Sequence, residues 1–133
     1  MKTGFLLFAC LLFLISCAIP QKTIKTESNV DKISPEYKLE EARITLSTGD
    51  FEGAVDLYLK IYNDEKIDPV FREEALFNLG MMYSDAAGNV EDYEIALKYL
   101  RQLSSEFPRT QFKEKTNREI RYIRNQIKRV KQR

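Results

Sequence analysis

Two stretches of this chain can be laid over one another: TGDFEGAVDLYLKIY, from Thr48, and VEDYEIALKYLRQLS, from Val90. The overlay sets Phe51 on Tyr93, Ala54 on Ala96 and Leu57 on Tyr99, a separation of 42 residues. In the first stretch Phe51, Ala54, Leu57, Tyr58 and Ile61 recur at the three- and four-residue spacing of one helical face. Each stretch follows another helical segment, and there Ala42 aligns with Gly80 at a separation of 38 residues. A two-helix unit cannot bury its apolar face alone, so a tandem of such units folds by stacking. The fold class predicted is all-α, two helical hairpins followed by a closing helix.

The boundaries are marked residue by residue. Ser34-Pro35 is a helix start, with Ser34 at the N-cap and Pro35 at the first helical position. Leu39, Ala42 and Leu46 then share a face. Gly49 suits the helix end, and Asp50 suits the next N-cap. Asp68-Pro69 opens the second hairpin, whose first helix carries Phe71, Ala75, Leu79 and Tyr83. AAGNVED reads as its turn, YEIALKYLRQLSSEF as the partner helix, and Pro108 as the stop. A fifth helix is predicted from Gln111 to Val130.

From Glu36 to Thr110 the chain resembles the tetratricopeptide-repeat (TPR) family, most clearly in its second repeat. Leu79-Gly80 and Tyr83 match the family's first helix, and Tyr93, Ala96 and Pro108 match the second helix and its end. Small Gly80 and Ala96 would let two helices approach closely, with Tyr83 and Tyr93 beside them. The first repeat has Ala42 but no Leu-Gly pair, and neither repeat has the family's early tryptophan. The family period is about 34 residues, and extra residues around Asp64–Ile67 and Asp85–Gly88 account for the longer spacing. The resemblance implies a short α-solenoid with a C-terminal capping helix, its first helices lining a concave surface. Carried over by alignment, the partner-binding positions are Leu39, Arg43 and Leu46, then Phe77, Asn78 and Met81. Phe77 and Met81 lie four apart, either as an apolar strip for a partner or as core against the fifth helix.

The N-terminus reads as a leader. Lys2 precedes a mostly apolar run from Gly4 to Ile15, short of the roughly 20 residues a membrane-crossing helix needs. Leu14-Ile15-Ser16-Cys17 resembles the bacterial lipobox, in which cleavage precedes a cysteine that then receives lipid. The alternative is a secreted protein with an incidental cysteine. The resemblance implies a signal peptide over residues 1–16, a lipidated Cys17 with a flexible tether over 17–33, and the folded part over 34–133. Cys10, the other cysteine, lies in the leader, so no thiol or disulfide is expected in the mature chain. Ala18 stands where enteric bacteria place an inner-membrane retention Asp. The implied location is therefore the outer membrane of a Gram-negative bacterium, lipid-anchored and facing the periplasm.

A lipobox with TPR hairpins resembles outer-membrane lipoproteins of the BamD kind and the Tol-Pal-associated CpoB proteins. This implies an adaptor that holds envelope proteins through its TPR surface and the membrane through acyl chains. Outer-membrane protein assembly, Tol-Pal or division, and secretion are the pathways in view. The chain is shorter than a full BamD.

Enzyme chemistry finds no support in the residues. There is no histidine, which removes Ser-His-Asp and Cys-His arrangements and histidine metal ligands. Gly-rich phosphate-binding motifs are missing as well. The carboxylate pairs Glu40-Glu41, Glu73-Glu74 and Glu91-Asp92 are adjacent in sequence, so on a helix they diverge. No enzyme, metal or cofactor is expected.

Charge is unevenly placed. The segment from Phe112 to Arg133 holds nine Lys/Arg and two Glu, although the whole chain carries a formal charge of only +1. Ile120, Ile123, Ile127 and Val130 form a narrow apolar seam within it. Three readings stand open: the helix caps the second repeat, pairs with a copy of itself or a partner's helix as in a homodimer, or lies on anionic envelope components through Arg121, Arg124 and Lys128. Nucleic acid is not expected behind such a leader.

Overall fold

The computed structural model describes residues 34–132. The leader, Cys17 and the tether lie outside the described residues. The described residues form five helices and no strand: α1 (Pro35–Ser47), α2 (Phe51–Asn63), α3 (Pro69–Asp85), α4 (Val90–Glu106) and α5 (Lys113–Lys131).

The helix boundaries follow local chemistry. α1 ends in a two-bond turn: Gly49 N–H donates to Leu46 O (3.0 Å) and Asp50 N–H to Thr45 O (3.2 Å). This satisfies two carbonyls of the last turn and places Gly49 at φ 89°, where a side chain would be strained. Asp50 then caps α2, its Oδ1 accepting from Gly53 N–H (2.9 Å). Asp68 caps α3 by accepting from Val70 N–H (2.9 Å), with Pro69 at the first helical position. Ser34 occupies the N-cap of α1 without a side-chain capping bond.

α4 begins at Val90, inside the stretch the sequence assigned to the turn. The cause is Asn89, whose Oδ1 accepts from Asp92 N–H (3.0 Å), while Asp92 Oδ2 accepts from Gly88 N–H (3.0 Å). This reciprocal cap satisfies two backbone donors at once. α5 begins two residues later than expected, because a turn over Thr110–Phe112 precedes it.

Each helix packs on its sequence neighbours, α1 also touches α3, and α3 also touches α5. α1 and α5 do not meet. One apolar cluster joins the first three helices through Leu39, Ala42, Ala54, Tyr58, Ile61, Ala75, Leu79 and Met82. A second joins α4 to α5 through Ala96, Leu97, Leu100 and Ile123. Aromatic rings link the two hairpins, Tyr83 meeting Phe51 edge-on (5.2 Å between centroids) and stacking on Tyr99 (5.8 Å).

Candidate functional site

α1, α2 and α3 enclose a cleft of about 490 Å³. Arg43 and Leu46 line it from α1, Phe51 and Tyr58 from α2, and Asn78, Met81, Met82 and Asp85 from α3. Of the six partner-binding positions carried over from the sequence, the structure thus brings Arg43, Leu46, Asn78 and Met81 onto one cavity. Leu39 requires correction: at 2% exposure it belongs to the core. Phe77 does too. Its ring stacks on Phe112 at 4.4 Å, just before α5, and packs against the second apolar cluster. Four-residue spacing aligns Phe77 and Met81 along α3, but Phe77 stands against Phe112 whereas Met81 lines the cleft.

The polar groups of the cleft differ in how they are satisfied. Arg43 Nη1 donates to Glu40 Oε2 (2.9 Å), and its other terminal nitrogen pairs with Glu74 of α3. The Glu40 hydrogen bond, with Glu74 beside it, raises the guanidinium pKa further above its ordinary value. Asn78 is the contrast. Its Nδ2 is buried and has no hydrogen-bond partner among the described residues. An unmatched buried donor costs about 1–3 kcal/mol. The remaining wall is apolar and includes two methionines, side chains that adapt to irregular shapes. Burial pushes the Tyr58 phenol above its ordinary pKa, which keeps it neutral.

A second concave surface follows the line where α5 crosses α4. Two hollows of about 500 and 490 Å³ share Arg101 and Arg124. Lys128 lines one and Arg121 the other, so Arg121, Arg124 and Lys128 of the sequence reading stand together. Arg101, from α4, was missed. Its position four residues after Leu97, which packs under α5, was the available signal. The apolar seam of α5 is turned to α4: Ile123 is fully buried and Ile120 and Ile127 pack on the same cluster. Only Val130 remains exposed, at 40%. The seam therefore packs on the second hairpin, with Ile120 and Ile127 still reaching the two hollows.

No helix among the described residues is long and apolar enough to cross a membrane. No family model, curated protein or solved structure matches the chain.

Proposed function

We propose that this chain is a lipid-anchored adaptor of a Gram-negative envelope, a pair of tetratricopeptide hairpins with a capping helix. Its α1–α3 cleft binds an extended segment of a partner protein. The observation that carries this reading is a cleft where the polar side chains of Arg43 and Asn78 stand among an apolar wall of Leu46, Phe51, Met81 and Met82. Such a site suits a peptide, whose apolar side chain enters the wall and whose backbone lies beside the polar rim. Lipidation at Cys17 tethers the domain to the outer membrane on the periplasmic side, raising the effective concentration of whatever it binds. The anchor rests on the lipobox resemblance, and the repeat assignment on Gly80, Ala96 and the tandem period.

A second reading is favoured by the Arg101–Arg124 groove: a structural protein whose basic helix contacts anionic envelope components. Site-specific photocrosslinking in native membranes separates the two. A photoreactive residue at Met81 should capture a discrete envelope protein, and one at Lys98, exposed on α4, should not. Binding of that purified protein should then fall on the order of tenfold with Met81→Ala, the loss of one apolar anchor. Equal capture from both positions, or binding unchanged by Met81→Ala, overturns the adaptor reading.

A further inference from the structure

Beyond the cleft, and independently of what it holds, the two ends of the stack are complementary to each other. At the C-terminal end, the α4–α5 groove has Arg101, Arg121, Arg124 and Lys128 along its rim. Its apolar floor is Leu97, Ile120 and Ile127, side chains that close the second cluster but still line the two hollows. Glu94 is the only carboxylate lining either hollow, and its nearest cation is Lys131, at 3.9 Å. A groove of this make-up fits an acidic helix with an apolar ridge.

The opposite end carries a helix with such a ridge, α1, whose three acidic and two basic residues leave it slightly negative. The outer face of α1 presents Tyr37 and Ile44, exposed by 73% and 55%, the two most exposed large apolar side chains among the described residues. They stand seven apart, two helical turns, with Glu40 and Glu41 between them. Charge follows the same division. Between Ser34 and Asp68 there are nine acidic and four basic residues, whereas Lys113–Lys131 holds eight basic and two acidic. Because α1 and α5 do not touch, one molecule cannot satisfy its own groove with its own first helix.

We propose that the groove is the docking site for α1 of a second copy of this chain, so that molecules associate head to tail. The ridge of Tyr37 and Ile44 lies on the Leu97–Ile120–Ile127 floor, and Glu41, beside the Arg43-bonded Glu40, faces the arginines and Lys128. The contact is heterologous. Each added copy leaves a groove at one end and an α1 face at the other, so growth is open-ended rather than stopping at a symmetric dimer. Charge pairs at the rim make it sensitive to salt.

Two variants of the full chain in detergent test this by sedimentation velocity across a concentration series. Tyr37→Ser/Ile44→Ser removes the ridge, and Arg124→Glu/Lys128→Glu inverts the rim. All four side chains lie outside the α1–α3 cleft, and circular dichroism verifies that both variants fold. The wild-type chain should form a concentration-dependent ladder of species that shrinks as salt is raised. Each variant alone should associate at least about tenfold more weakly, as loss of two apolar anchors or two charge pairs implies. Mixed together, they should recover one contact and stop at a 1:1 pair, because the intact groove of the first accepts the intact α1 of the second. A wild-type chain that stays monomeric overturns the proposal. So does a dimer that either variant still forms alone, which would mark a symmetric interface. Binding of phosphatidylglycerol vesicles by a monomeric wild type, lost in the Arg124→Glu/Lys128→Glu variant, would assign the groove to a lipid surface instead.

Discussion

Gly80 of α3 and Leu100 of α4 occupy one space: a Cβ built on Gly80 would lie 2.5 Å from Leu100 Cδ2 and 2.6 Å from its Cγ. Leu100 is fully buried, so it has nowhere to yield. The small residue that the sequence pattern places at position 80 therefore sets how closely the helices of the second hairpin approach.

Gly80→Ala gains about 1 kcal/mol in helix propensity, but the clash opposes it. Overpacking of a filled core costs about 1–3 kcal/mol. The expected result is net destabilisation by about 1 kcal/mol, read from the urea midpoint at constant m-value. A more stable variant would mean that α3 and α4 move apart at no cost.

The fold was legible wherever one residue type answers one backbone requirement. Gly49, Asp50, Asp68 and Pro69 each mark a boundary because a positive φ, a free N–H or a missing donor narrows the choice. Asn89 was read as part of a turn, since its capping role depends on reciprocity with Asp92 that composition does not reveal. The candidate site was legible only in part. Helical spacing says which residues share a stripe, and Arg43, Leu46, Asn78 and Met81 do meet at the cleft. It does not say which neighbour covers each position along the stripe, so packing closes over Leu39 and decides for Phe77 between the two places the spacing leaves open. Arg101 belongs to a groove that exists only because α5 crosses α4.

The stacked rings of Phe77 and Phe112, at an interplanar angle of 10°, fasten the start of α5 to α3. Phe112→Ala should destabilise the domain by about 2 kcal/mol, combining lost apolar area with the aromatic pair. The loss should be local. Amide exchange in α5 should accelerate more than in α1 or α2, and a uniform acceleration would show that α5 unfolds only with the whole domain.

Alkaline pH should unfold the protein through its tyrosines. The Tyr62 hydroxyl donates to Glu106 Oε1 (2.7 Å), tying α2 to α4. Burial, then this bond, raises its pKa above the ordinary value, and burial does the same at Tyr58 and Tyr99. A raised folded-state pKa favours the neutral form. Its contribution is fully present below the unfolded value of about 10 and is lost as pH rises through the folded one. Urea midpoints should therefore fall from about pH 9.5 upward, and less steeply in Tyr62→Phe. Identical slopes would show that the Tyr62 bond does not feel ionisation.

Thr116 lies in the first turn of α5, fully buried, and its Oγ1 has no hydrogen-bond partner among the described residues. Its backbone is satisfied, the N–H donating to Phe112 O (2.8 Å). Thr116→Val keeps the shape, and the two residues have similar helix propensity. Replacing the unmatched hydroxyl with a methyl should stabilise the domain by about 1 kcal/mol, raising Tm by about 4–8 °C in a domain of this size. Thr116→Ala is the control, since it removes the same hydroxyl but leaves a hole and should lower Tm. If valine also lowers Tm, the hydroxyl bonds back to a carbonyl one turn earlier in solution, and the start of α5 is held by that bond rather than by packing alone.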